Sequence, residues 1–420
     1  MHLARLSSGA PLLPYLQLLH LGESSERCED LRLLVSTTLS ELYLCCSFNT
    51  RPGSEHVFPS ALQDILTNTP SLTYLQLIDF DSRLLTMVAP ELLYRLKELE
   101  VGARRSMDCG QVPHHGFPDV QSLRIMSTLP KLERLTVDLN FSLAPAFYGF
   151  CSLTSLKITD FNHNAAYFLT MCSSPHLREL HLDFWVRESW TGLRTVCSVV
   201  AHRAPELRSL TLSFEGLQES EWSPEHTLDA FSSLFALRHL SEVQIRANEG
   251  TFEFSDSILA AFAEVWPALA RLDICCHPLP IDADDPDLIL DFPALAAPPL
   301  EPEPEFQSVT LRVLDAFAQH CSGLRTLRLP YLYLAAPGEN SHPAQRPDHP
   351  LRELLICRCD IADGARVNDL AQAVENMFPH IHVGDSLKES LCYQTPSSST
   401  SGWRDILLAV EERRKERSVA

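Results

Sequence analysis

The sequence lacks the short motifs that mark most phosphate-binding and hydrolytic enzymes. None of G-x-S-x-G, H-E-x-x-H, the phosphate-binding loop or G-x-G-x-x-G occurs in its 420 residues. It also has no C-x-x-C pair of the kind that holds zinc or forms a redox-active dithiol. We therefore expect a protein that is not an enzyme and that uses no cofactor and no metal ion.

Basic residues and long apolar runs are also scarce. There are 34 Lys and Arg against 54 Asp and Glu, which gives a net charge of −20. A protein that binds nucleic acid needs a basic surface for the phosphates, so this balance predicts no nucleic-acid partner. No run of 18 apolar residues occurs, so we expect no membrane span. The apolar N-terminal stretch is interrupted by Pro14, Gln17 and His20, unlike a signal peptide.

The thirteen cysteines show no disulfide framework, since their number is odd and their spacing irregular. Several lie inside apolar, strand-like segments, where a free cysteine packs as a small hydrophobic residue. This usage predicts a cytoplasmic or nuclear protein rather than a secreted one. The cysteines in such segments include Cys45, Cys46, Cys275 and Cys276.

What the sequence does contain is a six-residue motif, L-x-x-L-x-L, in which Val or Ile can replace the later leucines. Successive copies begin 21 to 55 residues apart, and about 30 residues apart on average. Twelve copies with the same internal spacing predict a repeat architecture. A weaker match, VQSLRI, begins only 12 residues before the next copy and is interpreted as part of a helix. The twelve copies begin at residues 16, 39, 72, 96, 132, 153, 177, 207, 240, 269, 324 and 351.

The fifth copy, LERLTV, explains the spacing. Leu135 and Val137 are two residues apart, so they share one face of a short strand, while the polar residues between them face outward. The first leucine enters the same interior from the preceding turn. Asn140 follows, where an asparagine side chain can bond to the backbone of a turn. Asn248 and Cys359 hold the same position in their repeats, which predicts a structural role for Cys359.

Segments with helical periodicity lie between the motifs, and several end at a proline. Parallel strands pair about 4.7–4.9 Å apart, whereas helices are about 10 Å across. The strands must therefore occupy the inner side of an arc. The predicted fold is α/β: a leucine-rich-repeat solenoid with parallel strands on the concave face and helices on the convex face. The clearest helical segments are HVFPSALQDILTNTP, SDSILAAFAEVWP, SVTLRVLDAFAQHCSG and RVNDLAQAVENMFP.

The pattern predicts one irregular solenoid of about twelve repeats over residues 1–394. Residues 277–306 interrupt it with eight acidic residues, eight prolines and no Lys or Arg, a composition that predicts a long loop. Residues 337–350 form a shorter loop of the same kind.

The segment 395–402 is predicted to be a linker, and 403–417 a C-terminal helix that docks on the last repeat. Its apolar side consists of Trp403, Ile406, Leu407 and Val410. We attribute the basic residues at its end to the preference of a helix C-terminus for cations.

The outward side chains of the strands form the predicted partner-binding surface, because solenoids use their concave face in this way. This surface is polar and mixed in charge, with two tyrosines near its N-terminal side. The predicted partner-binding residues are Tyr43, Tyr74, Gln76, Glu98, Glu100, Arg134, Asp138, Lys157, Glu179, His181, Asp183, Arg246, Arg271 and Arg328.

The irregular repeat resembles the leucine-rich region of fungal F-box proteins over about residues 10–385. The phrases that carry the resemblance are NTPSLTYLQL, SSPHLRELHL, CSGLRTLRLP and DHPLRELLICRCDI. The resemblance implies that the repeats choose the substrate of an SCF-type ubiquitin ligase, while an F-box binds its Skp-type adaptor. An F-box would begin with a segment such as L-P-x-E-I-L, yet here a repeat begins near residue 16. The F-box is not found in this chain.

The expected function is therefore that of a non-catalytic, protein-binding leucine-rich-repeat protein, similar to the substrate-recognition region of an F-box protein. The alternative is a stand-alone scaffold or inhibitor without a link to ubiquitin. In both cases we expect a monomer with a protein substrate or client on the concave face. A Skp-type adaptor is an expected partner only if an upstream F-box exists.

Overall fold

The chain divides into two compact units, which are described separately. Unit 1 comprises Met1–Val186 and Val199–Leu207, and unit 2 comprises Arg187–Ser198 and Arg208–Ala420. The structure is a computed structural model. It describes residues 13–21, 35–45, 57–80, 83–103, 117–140, 148–161, 163–185, 189–216, 223–249, 254–276, 309–335, 348–362, 365–384, 386–387 and 401–419.

The strands of unit 1 are parallel and neighbour one another in chain order. Each begins at the third residue of a predicted motif, as the alternation requires. In the described part of unit 1 they are β1 (Leu18–Leu21), β2 (Glu41–Cys45), β3 (Tyr74–Ile78), β4 (Glu98–Gly102), β5 (Arg134–Leu139), β6 (Ser155–Asp160) and β7 (Glu179–Phe184).

Unit 2 repeats this arrangement with parallel strands that again pair in chain order. These strands are longer, six to nine residues, and also begin at the third motif residue. They are β8 (Ser209–Gly216), β9 (Glu242–Glu249), β10 (Arg271–Cys276), β11 (Thr326–Leu334) and β12 (Glu353–Ile361).

Helices precede most strands, and polar caps fix where several of them begin. The side chains of Ser255 and Thr310 each accept a hydrogen bond from a backbone N–H in the first turn of the helix that follows. The helices of the described residues are α1 (Val57–Asn68), α2 (Val120–Ser127), α3 (Ala165–Met171), α4 (Trp190–Arg203), α5 (Pro224–Ser232), α6 (Asp256–Val265), α7 (Leu311–His320), α8 (Val367–Met377) and α9 (Ser401–Val419). Short 3-10 helices cover Leu84–Met87, Pro90–Leu92 and Ser233–Ala236.

The core of each unit lies between its strands and helices. The first leucine of the motif is fully or almost fully buried in every copy from the second onward, and is half-buried in the first, at Leu16. In unit 2 the core also holds a cluster of aromatic rings, in which Phe262 and Trp266 have centroids 4.7 Å apart. The apolar residues at the first, fourth and sixth positions of the motif are therefore anchors of a shared interior. No single repeat could bury enough apolar surface alone.

The predicted fold class is confirmed: both units are α/β leucine-rich-repeat solenoids with parallel strands and connecting helices. The weak match VQSLRI is helical, as predicted, because it forms most of α2. The turn position predicted for Asn248 and Cys359 is wrong, since both lie inside strands. The strands β9 and β12 are longer than the six-residue motif, and their pairing with β8 and β11 continues past the position where a turn was expected, to Glu249 and Ile361.

The C-terminal helix α9 begins at Ser401 and includes the last two residues of the predicted linker. Its predicted apolar side is buried, with Trp403, Ile406, Leu407 and Val410 each at most 1% exposed. A Cβ atom on Gly402 would lie 3.1 Å from the side chain of Ile361, so this end of α9 rests directly on β12. The predicted loop 277–306 and residues 337–347 of the shorter loop lie outside the described residues.

Candidate protein-binding face

The candidate site is the side of each sheet that points away from the core, which we call the strand face. Alternation places every second side chain of a strand there, and the parallel register aligns these side chains across strands. Tyr74 of β3 thus lies between Glu41 and Glu98, and Gln76 lies between Tyr43 and Glu100. The fourteen predicted partner-binding residues come from nine separate motifs, and the register arranges them in rows within each unit.

An aromatic pair stands on the strand face of unit 1. The rings of Tyr43 and Tyr74 have centroids 4.8 Å apart, and the His20 ring lies 5.7 Å from that of Tyr43. The Tyr43 hydroxyl donates to Glu41 Oε2 at 2.9 Å, and the Tyr74 hydroxyl donates to Glu100 Oε2 at 3.2 Å. Both tyrosines are half-buried by their neighbours, so their rings are held in position on an otherwise polar surface.

The carboxylates beside these rings create a negative electrostatic environment. The hydrogen bond to Glu41 raises the pKa of Tyr43 above its ordinary value, and burial and neighbouring carboxylates add to the effect. Burial, followed by the charge of Glu100, raises the pKa of Tyr74. The negative charge of the neighbouring carboxylates contributes to both shifts, and this charge attracts a cation, whereas burial by itself does not.

Twelve of the fourteen predicted partner-binding residues are exposed or half-buried on the strand face. They are Tyr43, Tyr74, Gln76, Glu98, Glu100, Arg134, Lys157, Glu179, His181, Asp183, Arg246 and Arg271. Their role in binding a partner stays a prediction.

The two remaining residues differ from the prediction because they are buried. Asp138 is 5% exposed, and its Oδ2 accepts a hydrogen bond from the backbone N–H of Ala103 at 2.9 Å. Arg328 is 7% exposed, and its Nε lies 3.7 Å from Oδ1 of the buried Asp273. These contacts hold neighbouring strands together, so neither side chain is presented to a partner.

Asp273 is a contact point for three arginines in unit 2. Besides Arg328, the guanidinium groups of Arg246 and Arg271 lie 3.4 and 3.6 Å from its Oδ2. Unit 2 therefore places these three arginines around a carboxylate that is itself 2% exposed. Asp273 is not among the predicted partner-binding residues, and the register of β9, β10 and β11 places it among these arginines.

Sequence reasoning also missed a pair of cysteines on this face. The Cys357 thiol donates a hydrogen bond to Cys275, and this bond lowers the pKa of Cys275 against the opposing effect of burial. Its partner Cys357 has a raised pKa, chiefly because it is the donor. The two residues are 82 positions apart in the chain, so no local signal indicates the pair. From the sequence, Cys275 was interpreted only as a cysteine that packs as a small hydrophobic residue.

Within the described residues, no group of three His, Cys, Asp or Glu side chains is arranged to hold a metal ion. In the same part of the chain, every helix is too short or too polar to cross a membrane.

No protein-family model matches the sequence, and no curated protein matches it. Among solved structures, the chain aligns with TLR13 in complex with ssRNA13 at 15% identity and a TM-score of 0.36, covering 83% of this chain and 42% of that one. It aligns with Rad7 from the yeast Rad7–Elc1 complex at 14% identity and a TM-score of 0.39, covering 82% of both chains. A protein from Bacteroides fragilis aligns at 11% identity and a TM-score of 0.30, over 58% of this chain and 66% of that one.

Proposed function

We propose that this is a non-catalytic protein-binding protein that holds a protein partner on its strand face. The observation that supports this function is the register of the outward side chains. Within each unit, aromatic, acidic, basic and amide groups from consecutive repeats lie side by side and remain partly accessible. Such a surface offers many weak, directional contacts over several strands, which suits an extended protein partner better than a small molecule.

Site-specific photo-crosslinking tests this proposal. A photoreactive amino acid replaces Gln76 or Lys157 on the strand face, or Gln63 or Gln319 on exposed positions of helices α1 and α7. We expect the strand-face positions to crosslink one discrete protein and the helix positions to crosslink it at least about tenfold less. Equal crosslinking from both sides, or a partner whose covalent structure this protein changes, would overturn the proposal.

We further propose that the bound partner is the substrate of an SCF-type ubiquitin ligase. Support comes from the repeat phrases that resemble fungal F-box proteins, such as SSPHLRELHL and CSGLRTLRLP. The alternative is a stand-alone scaffold or inhibitor without a link to ubiquitin. Co-purification of the chain with a Skp-type adaptor and a cullin would support the ligase role. A stable complex with the crosslinked partner that contains neither would support the alternative.

A further inference from the structure

One part of the strand face of unit 1 combines aromatic rings and carboxylates and has no Lys or Arg among them. We call it the Tyr–Glu patch. It lies on β1 to β4, whose described strand-face positions contain no Lys or Arg. The patch consists of His20, Glu41, Tyr43, Tyr74, Glu98 and Glu100.

Two of its three carboxylates have no cation beside them among the described residues. Glu98 is paired with Arg134 of β5, whose Nη1 lies 3.2 Å from its Oε1. Glu41 and Glu100 each accept a tyrosine hydroxyl instead, and neither forms an ion pair within the part of the chain that is described. Among the described residues, no cation therefore compensates the negative charge of Glu41 and Glu100 beside the two tyrosine rings, which are tilted by 35° to each other.

Unit 2 contains a similar pair, a tyrosine hydroxyl bonded to a carboxylate, and there an arginine contacts both groups. The Tyr331 hydroxyl donates to Asp360 Oδ2 at 3.2 Å, as Tyr74 does to Glu100. An arginine completes this second group, because the Nη2 of Arg358 lies 3.4 Å from the same Asp360 oxygen. The Arg358 guanidinium carbon also lies 5.7 Å from the centre of the Tyr331 ring, which is within cation–π distance. Over Tyr43 and Tyr74, the described residues provide no such cation.

We propose that the Tyr–Glu patch binds an arginine-bearing segment of the protein partner. This inference rests on the proposed function and names the chemistry of the partner. A planar guanidinium can stack on Tyr43 or Tyr74 while donating two parallel hydrogen bonds to one carboxylate, and Arg358 contacts both a ring and a carboxylate in this chain. Lysine would satisfy the charge but lacks the planar fork, so we expect it to bind more weakly.

Fluorescence anisotropy with a labelled Gly-Arg-Gly-Arg-Gly peptide tests the patch on the full chain. We expect saturable binding, weaker binding when lysine replaces arginine, and at least about tenfold weaker binding when uncharged citrulline replaces it. Tyr43→Leu and Glu100→Gln should each weaken binding by about 2- to 30-fold, the range for loss of one cation–π or charge-assisted contact.

Two control variants test whether peptide binding depends on the Tyr–Glu patch or only on the overall negative charge of the chain. Glu91→Gln removes the same charge from an exposed position in the 3-10 helix Pro90–Leu92, and Tyr94→Leu removes a tyrosine that is 40% exposed outside the strands. Each should change the affinity less than about twofold. The inference is overturned if Glu91→Gln weakens binding as much as Glu100→Gln, or if spermidine displaces the peptide as well as the unlabelled peptide does.

The crosslinked partner provides the second test. If it binds Glu100→Gln and Tyr43→Leu chains as tightly as the unaltered chain, the inference fails and the proposed function stands. If Gln76 crosslinks no protein, the proposed function fails, while the peptide titration still decides whether the patch recognises arginine. A thermal melt of each variant shows that a loss of binding does not come from unfolding.

Discussion

Replacing Glu375 by glutamine should loosen the C-terminal helix α9 from unit 2. Glu375 belongs to α8 and is buried, with only 6% of its side chain exposed. Its carboxylate lies 3.4 Å from Arg413 Nε and 3.7 Å from Arg414 Nε, and it accepts a further hydrogen bond from Arg417. The arginines at the end of α9 therefore bind a carboxylate on another helix, which the sequence-based explanation by the helix dipole did not foresee.

The expected loss of docking free energy follows from the hydrogen bonds that a glutamine at position 375 would keep and those that it would weaken. The amide oxygen of a glutamine at this position would still accept a hydrogen bond, but hydrogen bonds to charged groups contribute about 1.5–3 kcal/mol and neutral ones about 1 kcal/mol. Two such bonds are weakened, although the arginines are 29% to 61% exposed and so partly solvated. We therefore expect Glu375→Gln to cost about 1–3 kcal/mol in the docking of α9.

Hydrogen–deuterium exchange of residues 401–419 measures this cost directly. A loss of about 1–3 kcal/mol corresponds to exchange that is about 5- to 150-fold faster, if the helix opens as a local unit. The control is Glu411→Gln, which breaks the 2.8 Å ion pair to Lys415 on the exposed side of the same helix. That exposed pair should contribute less than about 0.5 kcal/mol. Equal acceleration in the two variants, or acceleration in α6 as large as in α9, would refute the reasoning.

Three further changes test the core, the backbone packing and the cysteine pair. Trp266→Ala should lower the unfolding free energy by about 3–5 kcal/mol in urea titrations, because the ring is fully buried; a loss below about 1 kcal/mol would contradict this. Gly149→Ala should lower the unfolding free energy by about 1–3 kcal/mol, because the added Cβ would collide with the backbone oxygen of Ser127. Gly384→Ala is the control: its Cβ would meet nothing within 4 Å, so this change should be neutral or slightly stabilising. The rate at which iodoacetamide alkylates Cys275 should rise with pH around a midpoint below that of an ordinary cysteine, because the hydrogen bond from Cys357 lowers the pKa of Cys275 and the thiolate is the reactive form. Cys357→Ala should move that midpoint upward, and an unchanged profile would show that the hydrogen bond does not set the pKa.

The fold was predictable because each repeat carries its own local signal. The first leucine and the two alternating apolar residues of the motif fix one strand, and the same signal recurs twelve times, so an error in one copy leaves the others intact. The capped helices were predictable for the same reason: α6 and α7 combine a 3–4 residue periodicity with Ser255 or Thr310 before the first turn.

The candidate site was predictable only as a list of outward positions. Alternation alone identified Tyr43, Tyr74 and Glu100, because the period of a strand is two residues. It misplaced Asp138 and Arg328, because burial of an outward side chain depends on what the neighbouring strand presents to it. Asp138 covers the end of β4, where Gly102 leaves room for its carboxylate, and Arg328 is covered beside Asp273.

The sequence by itself determined the repeat, the direction in which each strand residue points and the acidic character of the chain, since these depend on neighbours within a few positions. Tertiary structure decided which side chains meet across repeats. Tyr43 reaches Tyr74, Cys275 receives a hydrogen bond from Cys357, and Glu375 receives the arginines of α9. These pairs are 31 to 82 residues apart in the chain, and only the register of the parallel strands and the packing of the last helices bring them together.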